Sequence, residues 1–167
     1  MKRLKIISMG DLACGKSTII KRFCENRFIS KYLATIGIDY GIKSVNVAGM
    51  ELKISFFDLS GSNDFLEVRN EFYSDTQGAV LVFDVTNRCS FDNLSLWLAE
   101  ASKFNAPKNM AIFVCGNKID KTNRVVSELE ASQWCDQHNL RYFETSAANG
   151  RNINSCFMSL FSAILNS

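Results

Sequence analysis

The sequence predicts an α/β fold with a mostly parallel central sheet. Short apolar runs alternate with longer stretches of helical periodicity along the chain, as in repeated strand–helix units. Several apolar runs are continuous rather than alternating, which is typical of strands that are buried on both faces of a parallel sheet. Ligands bind such sheets at the carboxyl ends of the strands, so functional residues are expected in the loops that follow them.

The first half of the chain contains a predicted strand, a helix and a hairpin. Residues 4–9 (LKIISM) form a short apolar run that indicates a buried strand, and residues 16–24 have a helical pattern. Residues 44–48 and 51–57 alternate in part between apolar and polar side chains on either side of a turn at Gly49. That arrangement predicts a β-hairpin.

The second half repeats the strand–helix order. Residues 79–85 and 110–117 are two more apolar runs, each followed by a helical stretch, and residues 140–146 form the last predicted strand. The C-terminal segment has one apolar stripe at spacings i, i+4, i+7, i+8 and i+11, which predicts a helix packed on the sheet. The stripe consists of Ile153, Phe157, Leu160, Phe161 and Ile164.

The composition is that of one globular domain over residues 1–167. Hydrophobic residues make up 47% and charged residues 22%, and one proline with nine glycines leaves no room for a long linker. The net charge is only +2 and the basic residues are scattered, so we expect neither nucleic acid nor an anionic membrane as a partner. The longest apolar runs, such as residues 78–83, are far shorter than the ~20 residues of a membrane span.

The six cysteines have no spacing that indicates a metal site or a disulfide framework. No two of them form a Cys-x-x-Cys pair, and His138 is the single histidine of the sequence. Cys115 lies in an apolar run, and Cys24 and Cys135 lie in helical patterns. We therefore expect these thiols to act as small buried hydrophobes in a reducing compartment.

Residues 10–18 (GDLACGKST) fit the pattern Gly-x-x-x-x-Gly-Lys-Ser between a predicted strand and a predicted helix. In that context the backbone N–H groups face an anion, Lys16 reaches the terminal phosphates of a nucleotide, and Ser17 supplies a hydroxyl to magnesium. The alternative is a glycine-containing turn that only caps a helix. The residues predicted to contact phosphate are Ala13, Cys14, Gly15, Lys16, Ser17 and Thr18.

The stretch FFDLSGSNDF, residues 56–65, supplies a carboxylate and a glycine directly after an apolar strand. Asp58 is predicted to bind magnesium through a water, and the N–H of Gly61 to reach the γ-phosphate. Thr35 is the candidate second protein ligand of the ion beside Ser17, although a threonine before a strand would carry no weight alone. Both segments would order with the triphosphate and relax without it.

Two further loops predict the recognition of guanine. Asn117-Lys118-Ile119-Asp120 follows a predicted strand, and a carboxylate at Asp120 can accept from both N1–H and the exocyclic amine of guanine. Asn117 would hold the loop together, and the stem of Lys118 would lie along the base. Glu144-Thr145-Ser146-Ala147 follows the last strand, where a backbone N–H at Ser146 or Ala147 can reach the O6 atom of the base. Each motif alone could be a solvated turn, but four loops in this order indicate a guanine-nucleotide site for GTP or GDP with Mg²⁺.

These motifs resemble those of the small GTPases of the Ras superfamily, from Leu4 to Leu165. TIGIDYG (35–41) and residues 58–86 are similar to the Rab branch, and SKYLATIGIDYG with EVRNEFYSDTQG (67–78) is similar to the RJL family. Members of that family are Rab-like GTPases, some with a C-terminal J domain. The resemblance implies the P-loop small G-protein fold, with a six-stranded, mostly parallel sheet, one antiparallel edge strand and helices on both faces.

The resemblance also implies roles that spacing alone does not give. Phe28 matches the switch-I aromatic residue that packs on the guanine, and Tyr32 matches the tyrosine that closes over the phosphates. An effector surface is implied in which three aromatic residues are read by partners, unless they serve only core packing. The residues of that implied surface are Ile36, Tyr40, Phe57 and Phe72.

The sequence departs from the family pattern at three places. Ser62 stands where a glutamine normally orients the attacking water, and Leu12 is bulky where a small residue leaves room for an arginine finger. The C-terminus has no prenylatable cysteine, since Cys156 lies inside the last helical pattern. No lipid anchor is therefore expected in this chain. Whether the natural protein lacks an anchor or continues beyond this sequence stays open.

Ser62 makes the catalytic outcome the main open question. No residue is a certain catalytic group, although Lys16 would stabilise phosphate charge and the amide of Asn63 is a weak candidate substitute for the glutamine. Losing the water-positioning group should raise the barrier to hydrolysis by about 1–3 kcal/mol. The first hypothesis is a magnesium-dependent switch with very slow GTP hydrolysis, and the second is a GTP-binding scaffold without turnover. A third interpretation, an ATP-using P-loop kinase, predicts no role for Asp120 in nucleotide choice.

The expected partners are protein effectors and exchange factors that bind switch I and switch II, and we expect a monomer. A cytoplasmic location is expected, and the RJL resemblance also leaves a nuclear or a ciliary or flagellar location open.

Overall fold

The structure is a computed structural model that describes residues 1–24 and 37–167, together with the backbone of residues 29–33. The apolar runs of the sequence form one sheet of seven strands. These strands are β1 (Lys2–Met9), β2 (Ile29–Leu33), β3 (Ile38–Val47), β4 (Met50–Leu59), β5 (Gly78–Asp84), β6 (Ala111–Asn117) and β7 (Arg141–Glu144). Strand β5 is buried at every residue, as a continuous apolar run requires.

The order of the strands is β2-β3-β4-β1-β5-β6-β7. Strand β1 lies between β4 and β5 and is parallel to both, and β5, β6 and β7 continue the parallel arrangement. Strands β3 and β4 form the predicted hairpin and pair antiparallel from Ile38 and Leu59 down to Val47 and Met50. The predicted small G-protein fold, a six-stranded and mostly parallel sheet in which one strand is antiparallel, is thus confirmed in β1 and β3 to β7.

The structure adds one strand that the sequence analysis left out. Strand β2 pairs antiparallel with β3 and takes the edge position, so the antiparallel strand of the hairpin is not the outermost one. The segment ISKYL is short and only partly apolar. An edge strand is held mainly by backbone hydrogen bonds to one neighbour, and such bonds leave little trace in a hydrophobic pattern.

Helices cover both faces of the sheet, as predicted. The helices are α1 (Lys16–Cys24), α2 (Leu66–Arg69), α3 (Arg88–Asp92), α4 (Leu94–Lys103), α5 (Glu128–Gln137) and α6 (Ile153–Leu165). Helices α1 and α6 pack on the face that carries Leu4 and Ile6, while α4 and α5 pack on the face that carries Ile7 and Met9. Successive side chains of β1 therefore lie in two separate cores.

The C-terminal apolar stripe is confirmed, because all five of its residues are buried in α6. The predicted burial of Cys24, Cys115 and Cys135 is confirmed as well. Among the residues that the structure describes, we find no helix with both the length and the apolar character needed to cross a membrane.

The parallel strands bring five loops to one edge of the sheet. Strands β1, β4, β5, β6 and β7 end there at Met9, Leu59, Asp84, Asn117 and Glu144. The four loops in which the sequence predicts function follow β1, β4, β6 and β7, so they share this edge. The fold therefore brings together segments that are far apart in the chain.

Candidate nucleotide-binding site

The loop between β1 and α1 wraps tightly because two glycines adopt backbone angles that other residues avoid. Gly10 has φ +142°, and a Cβ there would lie 2.2 Å from the carbonyl oxygen of Val82. Gly15 has φ +100°, and a Cβ there would lie 2.2 Å from Nδ2 of Asn117. Glycine at both positions lets the loop lie against β5 and against the end of β6.

The side chain of Lys16 lies inside this loop. Its ammonium group donates to the carbonyl oxygens of Gly10 and Asp11, both at 2.9 Å, and the residue is buried. Residues on either side of Lys16 make further bonds. Thr18 Oγ1 donates to the Gly15 carbonyl at 2.8 Å, and Cys14 Sγ donates to the Val82 carbonyl at 3.3 Å. The cation and the N-terminus of α1 together give the loop a positive interior, which suits a polyphosphate.

Ser17 and Asp58 lie side by side at the floor of the site. The hydroxyl of Ser17 donates to Oδ2 of Asp58, and the hydroxyl of Ser8 donates to Oδ1 at 2.7 Å. Asp58 is buried. A carboxylate and a hydroxyl in contact beside a phosphate cavity are the hard oxygen donors that Mg²⁺ accepts, so these residues fit the predicted ion. Within residues 1–24 and 37–167 we find no cluster of three or more histidine, cysteine, aspartate or glutamate side chains that could hold a metal ion.

Gly61 packs directly on the phosphate loop. A Cβ at this position would lie 2.5 Å from the backbone nitrogen of Leu12 and 2.6 Å from the carbonyl oxygen of Gly10. This close approach places the Gly61 backbone at the phosphate cavity. A contact between the Gly61 N–H and a terminal phosphate needs that position.

Ser62 uses its hydroxyl within its own segment. Ser62 Oγ accepts from the backbone N–H of Asp64 at 3.2 Å and so caps the 3-10 turn at Asn63–Phe65. Neither Ser62 nor Asn63 is among the described residues that line the phosphate cavity. Leu12, by contrast, lines that cavity and is 66% exposed.

Two cavities adjoin along this edge of the sheet. The first, of about 430 Å³, is the phosphate cavity, and it includes Lys16, Ser17, Asp58 and Gly61 in its lining. The second, of about 270 Å³, is the base cavity, and its lining is Thr18, Asn117, Lys118, Asp120, Lys121, Ala147 and Ala148. Thr18 and Lys118 line both cavities, so one elongated ligand can extend from the first into the second.

Asn117 connects the base loops to the phosphate loop. Its Nδ2 donates to the Cys14 carbonyl at 3.1 Å, while its Oδ1 accepts from Thr145 Oγ1 at 3.2 Å and from the Ala147 N–H at 3.3 Å. The side chain is buried. Asn117 therefore holds the phosphate loop and the loop after β7 together. The N–H of Ala147, one of the two that we expect to reach the base, donates to Asn117 in this structure.

Asp120 lies exposed at the lining of the base cavity. Its Oδ1 accepts from the hydroxyl of Ser146 at 2.8 Å, and Ser146 itself is buried. This bond joins the loop after β6 to the loop after β7. The structure therefore brings the predicted specificity residue and the last predicted motif into contact.

Lys118 joins the two ends of the site. Its ammonium group donates to the carbonyl oxygen of Ala13 at 2.8 Å and pairs with Asp84 Oδ2 at 3.0 Å. Ala13 and Lys118 have positive φ angles, 65° and 68°, at this contact. Burial opposes ionisation of Asp84, but hydrogen bonds from Thr86 and Lys118 hold the pKa of its carboxyl below the ordinary value.

The three aromatic residues of the implied effector surface form one row. The ring centroids of Tyr40 and Phe57 are 4.9 Å apart and those of Phe57 and Phe72 are 5.5 Å apart. All three side chains are partly exposed. The ammonium group of Lys5 lies 5.3 Å from the Phe57 centroid on the same row. The row is open to a partner on one side and packed on the other.

Four predicted residues cannot be placed. Phe28, Thr35 and Ile36 lie outside the described residues, and Tyr32 belongs to β2, of which only the backbone is described.

Two features behind the phosphate cavity were not predicted. The carboxylate of Asp11 accepts from Asn93 Nδ2 and from the indole N–H of Trp97, both at 2.8 Å, which ties the phosphate loop to α4. Arg69, Glu100 and Tyr73, hereafter the Arg69 cluster, lie behind residues 60–62. Arg69 donates to both carboxylate oxygens of Glu100 at 3.0 and 2.8 Å, and the Tyr73 hydroxyl donates to the same carboxylate.

The Arg69 cluster also holds the backbone of the neighbouring segment. Arg69 Nη1 donates to the carbonyl oxygens of Ser60 at 2.7 Å and Ser62 at 3.0 Å, and the guanidinium lies 4.6 Å from the ring centroid of Trp97. In the sequence, Arg69 and Glu100 are single charges 31 residues apart. No local pattern links them, so the sequence holds no signal that could have found this cluster.

Comparison with known proteins agrees with this geometry. Residues 5–166 match the Ras family. The chain is 51% identical over 168 residues to "DnaJ homolog subfamily C member 27" of Gallus gallus, an alignment that covers 98% of this chain and 62% of that protein. The proteins of the same name from Homo sapiens and Mus musculus are 51% and 49% identical, with the same coverage. The chain therefore spans about three fifths of the length of these curated relatives.

The phosphate loop, the Ser17–Asp58 pair and the two base loops at one edge of an α/β sheet make this chain a P-loop nucleotide-binding domain. The family match then settles which kind. The chain belongs to the Ras family, and it is a small GTPase domain.

Proposed function

We propose that this chain is a magnesium-dependent guanine-nucleotide switch with very slow intrinsic GTP hydrolysis. The observation that supports it most is the continuity of the two cavities through Thr18 and Lys118. The phosphate cavity is lined by the cationic side chain of Lys16, and the base cavity by the exposed carboxylate of Asp120, which Ser146 holds. A carboxylate in that place accepts from N1–H and the 2-amino group of guanine, a donor pair that adenine does not present.

The residues of the phosphate end have distinct roles in this proposal. Lys16 and the backbone of residues 13–18 bind the phosphates, and Gly61 contacts the terminal one. Ser17 and Asp58 would hold Mg²⁺, with Thr35 as the further predicted ligand. When bound, the ion neutralises phosphate charge and orients the β- and γ-oxygens.

The slow hydrolysis follows from Ser62. The hydroxyl is short and is already bonded to the backbone of Asp64, so it cannot orient a water as a glutamine amide does. The loss of one such group should slow hydrolysis by about 10-fold to 100-fold, equivalent to an increase of about 1–3 kcal/mol in the barrier.

Single-turnover release of γ-phosphate from purified, GTP-loaded protein tests this proposal. The nucleotide that co-purifies is first identified, and we expect GDP or GTP. Ser62→Gln should then raise the hydrolysis rate by about 10-fold or more, whereas Ser62→Ala should leave it unchanged. A wild-type rate equal to that of a glutamine-bearing Ras protein would refute the assigned role of Ser62.

A scaffold that binds GTP without turnover is the second candidate. Leu12 favours it, because this exposed side chain beside the phosphate cavity obstructs an arginine supplied by an activating protein. The two candidates differ in one measurement. A switch releases phosphate faster than it exchanges bound GTP, and a scaffold exchanges GTP before any phosphate appears.

The RJL assignment is also a proposal. The name of the relatives, "DnaJ homolog subfamily C member 27", supports it, since RJL proteins include Rab-like GTPases that carry a J domain. Small GTPases generally bind effectors and exchange factors. We propose that the row Tyr40–Phe57–Phe72 is the effector surface, and that the protein acts as a monomer in the cytoplasm, the nucleus or the cilium. Imaging of a fluorescent fusion would decide among these locations.

A further inference from the structure

The two loops of the base cavity are joined by a second set of contacts outside the cavity. Inside it, Ser146 bonds to Asp120, and the N–H of Ile119 donates to the Thr145 carbonyl at 3.3 Å. Asn117 also bonds to Thr145 and Ala147, but of these contacts only the Ser146 bond holds the side chain of Asp120. That single bond leaves the Asp120 carboxylate, which a ligand also needs, free to rotate.

The outer contacts are made by Arg124, Glu144 and Tyr142, hereafter the Arg124 cluster. Arg124 Nη1 and Nη2 donate to Oε1 and Oε2 of Glu144 at 2.5 and 2.6 Å, and Arg124 Nε donates to the Val126 carbonyl at 2.6 Å. The Tyr142 hydroxyl donates to the same carboxylate. The side chain of Arg124 is 27% exposed and that of Glu144 is 10% exposed.

The positions of these residues in the chain let the cluster act on Asp120 and Ser146. Arg124 is four residues after Asp120, and Glu144 is two residues before Ser146. The bidentate pair and the Ser146–Asp120 bond therefore close a ring that contains both loops. A planar guanidinium that is bonded through all three of its nitrogens fixes distance and orientation together, which a single charge cannot do. The bond to Glu144 also raises the pKa of the Arg124 guanidinium, so that group keeps its charge.

We propose that Arg124 is a positioning residue for guanine selectivity, which acts through Glu144 to hold Asp120 at the distance from Ser146 that lets its carboxylate read the 2-amino group. This inference rests on the proposed function. It assigns no direct contact with the nucleotide to Arg124.

The chain offers a matched control in the pair of Arg88 and Glu130. Arg88 Nη1 and Nη2 also donate to the two oxygens of one carboxylate, the first at 2.6 Å, and the pair likewise joins two separate elements, α3 and α5. Both side chains are more exposed, at 49% and 40%, and neither residue lines the phosphate or base cavity. Removing this pair deletes the same chemistry without touching the base loops.

The experiment compares GDP with inosine diphosphate, which lacks the 2-amino group, on the whole chain. Dissociation constants for both nucleotides are measured for the wild type and for Arg124→Gln, Arg124→Lys and Arg88→Gln, and the dissociation constant of ADP is measured for the wild type. We expect Arg124→Gln to reduce the preference for GDP by about 5-fold to 10-fold and to speed GDP release by about 10-fold. Arg124→Lys should fall between, and Arg88→Gln should change each quantity less than about 2-fold.

The outcomes separate the ways in which the inference could fail. If Arg124→Gln lowers the thermal midpoint but keeps the GDP preference, Arg124 is only structural and the inference is wrong. If Arg124→Gln does not fold, Arg124→Lys carries the test, because it keeps the charge but not the bidentate geometry; it should lower the GDP preference by more than about 2-fold, and an unchanged preference would overturn the inference. If the wild type shows no preference for guanine over adenine nucleotides, the proposed function fails and not this inference alone.

Discussion

The two ends of the site are each supported from behind by an arginine, a glutamate and a tyrosine, but at different depths. In the Arg69 cluster the arginine side chain is 2% exposed, donates to two main-chain carbonyls and lies over Trp97. In the Arg124 cluster the arginine is 27% exposed and donates to one main-chain carbonyl. The same three residue types therefore form a buried support for the phosphate end and a shallow one for the base end.

This difference indicates different roles. A deeply buried ion pair is costly to break, because its loss leaves a charge without solvent or partner. The Arg69 cluster should therefore contribute to global stability and to the position of residues 60–62. A shallow cluster can lose a bond at little cost to the fold, so the Arg124 cluster should affect mainly selectivity. Mutations at the two ends test this comparison.

The largest effect is expected at the base end from Asp120→Asn. The amide turns one acceptor into a donor that faces N1–H and the 2-amino group, so GTP binding should weaken by about 1,000-fold and preference should shift towards xanthine nucleotides. Titration calorimetry with GTP, GDP and xanthosine diphosphate measures both. Asp136→Asn changes an exposed carboxylate of α5 and is the matched control. Unchanged GTP affinity in Asp120→Asn would support the kinase alternative.

At the phosphate end, Arg69→Ala should lower the free energy of unfolding by about 3 kcal/mol. The substitution leaves Glu100 with a charge and removes the donors to the Ser60 and Ser62 carbonyls. Urea unfolding of the nucleotide-bound protein gives the value. Arg124→Ala in the same assay should cost less than half as much. Equal losses for the two variants would show that depth does not separate the two clusters.

Much of this could be predicted from the sequence. The apolar runs and the alternating hairpin predicted six strands of the sheet, and motif spacing predicted the phosphate loop and both base loops, because backbone geometry and phosphate or base chemistry restrict residue types locally. The support behind each end could not be predicted. The bonds of Arg69 to Glu100 and of Arg124 to Glu144 join residues 31 and 20 positions apart, and any surface arginine has the same local pattern.

Strand β2 escaped prediction for a different reason. Its residues pair with β3 through the backbone at the edge of the sheet, so few of them need to be apolar.

The position of Asn117 shows the opposite case. The close approach of its amide requires a glycine at position 15, and that requirement was visible as part of the phosphate-loop motif.

The metal ligands of the phosphate end give the next prediction. Ser17→Asn replaces a hydroxyl in contact with Asp58 by an amide, which is a poor magnesium ligand. The affinity for GTP in the presence of Mg²⁺ should fall by about 10-fold to 100-fold, while GDP affinity should fall less. Nucleotide binding measured with and without a magnesium chelator shows the effect. Ser155→Asn, at an exposed position of α6, is the control, and Mg²⁺-dependent GTP affinity that is unaltered by Ser17→Asn would remove Ser17 from the ligand set.

The smallest effect concerns the two tyrosines, one in each cluster. Burial, and then the bond to the carboxylate, raise the pKa of Tyr73 and of Tyr142 above the ordinary value of about 10. Above pH 10 the unfolded chain therefore binds fewer protons than the folded chain, so stability falls as pH rises. Below pH 10 the stabilising contribution of the two hydroxyl bonds is fully present. Thermal midpoints between pH 8 and pH 11 should fall less steeply in Tyr73→Phe and in Tyr142→Phe than in the wild type. Both pKa values are raised, so the flattening should be of similar size in the two variants, and a variant that kept the wild-type slope would show that its tyrosine titrates as in the unfolded chain.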